Sequence, residues 1–242
     1  MSTQEVTIQI DQNTFAALAN GGFQLYGMTG VQCSDRGGLP AVWLCTQNFS
    51  LTTRVSVPDS YAAYTAPAMS LAPGSRVDPW FKAPIQRGQV LEVSQAGGTG
   101  SVKSDGEQGT MTILNMTNTQ YTCGLFQNGG TGGAPICGFE LYGGGIELIT
   151  PLPSVLLLFS TVVATPGTLV EVSKGPGVLI SLANDNSPTV SFDINKGWSW
   201  GNYAWGQAVP ANSDLRPLLI QYSDALAGMS AKMKEGMLSK AL

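Results

Sequence analysis

A chain of 242 residues with 43% hydrophobic content can bury a core of its own, as one large domain or two small ones. Sixteen acidic and twelve basic residues give a net charge of −4; no surplus of cations can displace counterions from a phosphate backbone, which argues against nucleic acid as a partner. The chain has no histidine, which excludes His-activated serine or cysteine nucleophiles, imidazole acid–base chemistry and His-anchored metal sites.

Thirty glycines, fourteen prolines and only 12% charged residues lean toward strands and turns rather than helical surfaces. The opening MSTQEVTIQI alternates polar and apolar residues, as a half-buried strand does, and has no basic stretch followed by an apolar one. A soluble chain without a secretory signal is therefore expected, cytoplasmic as synthesised, with non-classical release as its route out of a cell. DQNTFAALAN then reads as a short helix, capped by Asp11 or Asn13 and stopped by Gly21 and Gly22. After it come apolar runs of strand length: FQLYG, AVWLCT, QVLEVS and GTMTIL, then FELYG, SVLLLFSTVV, TLVEVS, GVLISL and TVSFDI. Between them SDRGG, APGS, QAGGTG, TPG, KGPG and NDNSP supply turn chemistry. The longest apolar stretch, Ser154 to Ala164, is interrupted by Ser160 and Thr161 and falls short of the roughly 20 residues of a membrane helix. The last segment, from Ser213, predicts one continuous helix with Pro217 in its first turn. Leu215, Leu219, Tyr222, Leu226, Met229, Met233 and Met237 would form its apolar stripe.

Several segments recur in the same order. GFQLYG at 22–27 returns as GFELYG at 138–143, LPAVWL at 39–44 as LPSVLL at 152–157, and GQVLEVS at 88–94 as GTLVEVS at 167–173. TMTILN from Thr110 faces TVSFDIN from Thr189. The expected fold is all-β: an antiparallel β-sandwich built from an internally duplicated Greek-key-like module, with a C-terminal amphipathic α-helix. Its parts are a first β module over 1–136 with an inserted arm near 48–82, a second over 137–211 packed with the first, and the helix over 212–242.

Motifs that carry chemistry are few. GGTGSVKS at 97–104 lacks phosphate-loop spacing and a following helix, so it reads as a hairpin loop. Glu140 and Glu147 flank a strand but nothing fixes their separation, and carboxylates on the solvent faces of strands are the rule. Cys33, Cys45, Cys123 and Cys137 allow three pairings, and buried free thiols are the expected state. No catalytic residue, metal or cofactor is expected, and the chain reads as a non-enzyme. The distinctive feature is GWSWGNYAWG at 197–206, which gathers Trp198, Trp200, Tyr203 and Trp205. Rings beside Gly and Ser can stack on sugar faces or sit at a lipid interface, and they can equally be core. The function expected is a binding protein for a glycan or lipid headgroup on a membrane surface, using these four residues. The alternative is a self-assembling structural subunit. A homo-oligomer is expected, with Met229, Met233 and Met237 at its interface. A β body of this kind is similar in outline to cytolysins, lectins and shell-forming proteins, with no motif specific to any of them.

Overall fold

The computed structural model describes residues 3–128, 132–183 and 187–240. Strands dominate it. The chain runs β1 (Thr3–Gln9), α1 (Gln12–Asn20), β2 (Gln24–Cys33), β3 (Leu39–Pro40), β4 (Leu44–Thr46), β5 (Thr52–Pro58), β6 (Tyr61–Pro67) and β7 (Phe81–Ile85). It continues through β8 (Gln89–Val93), β9 (Gly100–Lys103), β10 (Met111–Asn115), β11 (Tyr121–Gln127), β12 (Ala134–Pro135), β13 (Cys137–Leu141) and β14 (Ile146–Ser160). The last elements are β15 (Gly177–Ser181), β16 (Thr189–Asp193), β17 (Gly197–Ser199), β18 (Gly206–Val209), α2 (Arg216–Leu219), β19 (Ile220–Tyr222) and α3 (Asp224–Lys240).

Three sheets result. One is ordered β17-β16-β1-β5, and another β3-β13-β11-β6-β7 with β12 on β11. The largest is ordered β18-β15-β14-β10-β8-β9, with β2 lying along β14 and carrying β4 and β19. All three send side chains into one apolar cluster, among them Val6, Leu25, Ile113, Leu125, Phe139, Leu157 and Val190.

β14 organises the largest sheet. Its first residues pair with β10 and its last with β15, while β2 follows the other edge throughout and shifts register between Pro151 and Val155. Pro151 and Pro153 have no N–H to give to a ladder, so the strand breaks step there and one neighbour replaces the other. The β14 break leaves a hollow at the sheet surface, lined by Leu152, Pro153 and Ser154.

Several expectations need correction. Two of the three sheets are mixed rather than antiparallel, since β1–β16, β8–β10 and β19–β2 are parallel pairs, while the β3-β13-β11-β6-β7 sheet is antiparallel throughout. The β8–β9 hairpin reverses the chain, and residues 104–110 carry it back so that β10 enters beside β8 in the same direction. TLVEVS is not a strand: only the isolated bridges Ala41–Leu169, Arg76–Thr168 and Val172–Asp214 touch it. Its amides turn to Ser75, Pro40 and Ser213, three separate segments, so no ladder forms. Residues 48–82 contain β5 and β6 and the first of β7, with β6 between β11 and β7 inside a sheet.

The terminal helix is interrupted. Ile220, Gln221 and Tyr222 leave the helix to pair with Val31, Gln32 and Cys33 on the edge of β2, which suits the β-branched Ile220 and the aromatic Tyr222. Arg36 then lies 3.9 Å over the Tyr222 ring. Ser223 starts α3 afresh, its Oγ accepting from Leu226 N at 3.4 Å. The stripe is split accordingly: Leu215 and Leu219 are buried in a small cluster with Tyr26 and Leu156, and Leu226 is buried at the start of α3. The short early helix is as expected, with Asp11 accepting from Thr14 N at 2.6 Å and Gly21 closing it.

Candidate functional site

The four aromatic residues sit on the β16–β17–β18 run at the edge of the molecule. Asp193 shapes the first turn, its carboxylate accepting from Asn195 N at 2.9 Å and Lys196 N at 3.0 Å. β17 then returns so that Trp198 faces Phe192 across the ladder. A second turn follows in which Gly201 and Asn202 take positive φ, 68° and 61°. Residues of the Gly/Asn type are what let Trp200, Tyr203 and Trp205 fold so close together.

The cluster divides into an inner and an outer part. Trp198 is half-buried, stacked on Phe159 with centroids 5.5 Å apart and tilted against Phe192 at 5.0 Å. Its Nε1–H donates to the Pro176 carbonyl at 3.0 Å. Trp200 lies flat over Gly206, where a Cβ would meet the indole ring at 2.5 Å, and its Nε1–H donates to the Tyr203 carbonyl at 3.0 Å. Both indoles therefore commit their polar atom to one of the chain's own carbonyls, and both pack against the core, as Trp205 also does. Tyr203 is different: 63% of it is exposed, and its ring stacks on Trp205 at 5.7 Å with 12° between planes. Trp205 is half-buried and its carbonyl accepts from Ser181 N at 2.7 Å, which fixes it to β15.

Beside Trp205 the break in β14 opens a hollow of about 280 Å³. Ser154, Ser181, Gln207 and Gln221 line it together with Leu218, and no charged side chain does. On the other side of β17 a second hollow of about 430 Å³ reaches Trp198, Asp11, Asp193 and Lys196. Its carboxylates are already engaged, Asp11 in capping α1 and Asp193 in the turn.

Of the two carboxylates weighed from sequence, Glu140 lies on β13 and accepts from the Tyr142 hydroxyl, while Glu147 lies on β14 in a different sheet. Glu147 is not on a solvent face. It is 3% exposed, its Oε1 accepts from Ser34 N at 3.2 Å, and burial followed by the negative Asp35 pushes its pKa up to about 8. The alternation of Glu147 with the core residue Ile149 carries the signal, since residues two apart on a strand share a face. The four cysteines are free thiols, with Cys33, Cys123 and Cys137 buried and Cys45 half-buried. Burial pushes the Cys33 thiol up to about 12 and raises those of Cys123 and Cys137. Among the described residues no group of three or more acidic or cysteine side chains could hold a metal, and no helix is long and apolar enough to cross a membrane.

Of the methionines expected at a subunit interface, Met229 and Met233 are half-buried on α3, and the side chain of Met237 lies outside the described residues. The helix is held to the body by Leu226 and by Ser230 Oγ donating to the Ile146 carbonyl at 3.2 Å. The chain matches no protein-family model, and neither curated proteins nor solved structures yield a similar chain.

Proposed function

We propose that this chain is a non-enzymatic binding protein that recognises a neutral glycan through Tyr203 and Trp205, with Trp198 and Trp200 holding their hairpin in place. The observation that carries the reading is the exposed Tyr203 ring stacked on Trp205, which lines an uncharged hollow where Ser154, Ser181, Gln207 and Gln221 stand among Leu152, Pro153, Leu179 and Leu218. A flat ring binds the apolar face of a sugar, and Ser and Gln side chains exchange hydrogen bonds with its hydroxyls. A phosphate-bearing headgroup would call for a cation, and none lines the hollow. The accompanying view of the fold, a sandwich descended from two Greek-key-like copies, is supported by the shared core and by the recurring segments at 22–27 and 138–143. A glycan array probed with the full chain and with Tyr203→Ala tests the function. The full chain retains neutral saccharides and the variant binds them about tenfold more weakly, the scale of one aromatic stacking contact. An array on which the full chain holds no neutral saccharide overturns the reading.

A second reading, assembly of copies through α3, is favoured by the half-buried Met229 and Met233 on a helix held by few contacts. Under that reading the chain ended at Ala227 stays folded and scatters light as a smaller species than the full chain. Equal sizes would remove α3 as an assembly element.

A further inference from the structure

The break in β14 borders a further hollow, of about 170 Å³, where strands of all three sheets come together. Gln4 reaches it from β1, Val57 and Pro58 from β5, Thr29 from β2, residues 151–154 from β14 and Tyr61 from β6. Asp59, between β5 and β6, and Arg87, between β7 and β8, complete its lining. Val57, Leu152 and Pro153 make one part of the wall apolar, while the other groups bring hydroxyls, an amide and two opposite charges.

Hydrogen bonds within the chain fix this lining. The buried Thr29 donates its hydroxyl to Gln127 Oε1 at 3.2 Å, and Gln127 Nε2 donates to the Pro58 carbonyl at 2.8 Å. Gln4 Nε2 donates to the Leu182 carbonyl at 2.7 Å, and Leu182 N to the Pro153 carbonyl at 2.7 Å. Arg87 Nη2 donates to the Pro151 carbonyl at 3.1 Å, a bond that orients the guanidinium and uses only part of its donor fork. Among the described residues neither Arg87 nor Asp59 enters a salt bridge. Both charges act on one hydroxyl: burial first and the negative Asp59 next push the Tyr61 phenol above its usual range, and Arg87 pulls it down. A cation and an anion without partner ions therefore border the same small hollow, within electrostatic reach of Tyr61.

We infer that this hollow binds a small free amino acid as its zwitterion, the carboxylate on Arg87 and the ammonium on Asp59. A guanidinium fork matches a carboxylate, and a carboxylate accepts from an ammonium group. A simple anion would satisfy Arg87 and be repelled by Asp59, a simple cation the reverse, so a ligand that carries both charges suits the pair best. The volume, below that of sites for drug-sized ligands, limits the side chain to a few heavy atoms. Threonine meets both kinds of wall, its hydroxyl toward Thr29 and Ser154 and its methyl toward Val57 and Leu152. Neither Tyr203 nor Trp205 lines this hollow, so the inference does not rest on the glycan reading.

Isothermal titration calorimetry on the full chain at neutral pH tests it. L-threonine binds with a Kd of about 1 mM or tighter. Its methyl ester, which lacks the carboxylate, and 3-hydroxybutyrate, which lacks the ammonium, each bind at least about tenfold more weakly, the scale of one charge-assisted hydrogen bond. L-tryptophan, too large for the hollow, gives no heat of binding. Arg87→Gln and Asp59→Asn each weaken L-threonine at least about tenfold. Asp59 is exposed, so its variant tests the site without the disturbance that loss of the Arg87 bond to Pro151 brings to β14. Tyr203→Ala binds L-threonine like the wild type, which separates this site from the glycan reading. The inference is overturned if L-threonine gives no saturable binding, if the ester, 3-hydroxybutyrate or L-tryptophan binds as tightly, if Asp59→Asn binds L-threonine like the wild type, or if Tyr203→Ala abolishes that binding.

Discussion

Glu147→Gln is expected to stabilise the chain by about 4 kcal/mol at pH 8 and to change its stability little near pH 4, the pKa displacement being converted at 1.36 kcal/mol per unit. The folded chain holds the Glu147 proton up to about pH 8, whereas a free glutamate releases it near 4.5. Between those values unfolding releases a proton, so the wild type loses stability as pH rises from about 4.5 to about 8, after which this contribution is constant. Burial is the main cause: the carboxyl is 3% exposed on the core side of β14, and the hydrogen bonds it accepts from Ser34 and from the Asp35 backbone do not make up for its lost water. The negative Asp35 adds to the effect, and the Cys33 thiol faces the same group. Glutamine keeps an oxygen for Ser34 N and carries no charge. A further loss is expected above pH 9, where the unfolded chain ionises thiols that Cys33, Cys123 and Cys137 keep protonated in the fold. Guanidinium titrations of both proteins from pH 4 to 9 check the Glu147 prediction, which fails if the two stability profiles run parallel.

Trp198→Ala is expected to cost about 3 kcal/mol, the lower end for removing a large aromatic from a core, because the ring is only half-buried. The substitution removes the stack on Phe159 and the tilted contact with Phe192, and it takes the donor from the Pro176 carbonyl. Phe159 also contacts Phe49, which contacts Phe15, so the loss is felt along a chain of rings reaching α1. Tyr203→Ala, by contrast, removes an exposed ring and should leave the midpoint almost unmoved. Denaturant unfolding followed by tryptophan emission distinguishes them; a Trp198→Ala chain within about 1 kcal/mol of wild type would place that residue outside the core.

Much of this architecture can be read from local pattern. The alternation in VTIQI and TVSFDI marks β1 and β16, and Asp11 with Gly21 and Gly22 brackets α1, because these signals depend only on neighbouring residues. Where the outcome depends on distant partners, local pattern misleads. IQY lies in a helical period, yet the open edge of β2 draws it into a parallel pair, and TLVEVS has strand composition but finds three different partners instead of one. YAAYTAP, dominated by small residues, becomes a buried strand because β11 and β7 flank it on both edges. At the candidate site the four aromatic residues are legible as a group, while their division is not. It depends on Pro176 and Phe159 accepting Trp198, and on Gly206 leaving room for Trp200, contacts set by the packing of β14 and β15.

Indole N–H signals in a proton–nitrogen correlation spectrum address the division of labour within the cluster directly. On titration with a neutral saccharide retained on the array, the Trp205 indole signal is predicted to move progressively. The signals of Trp198 and Trp200, whose N–H groups are committed to Pro176 and Tyr203, should stay in place. Movement of Trp198 with Trp205 unchanged would contradict the account, and would put the ligand in the hollow beside Asp11 and Lys196 instead.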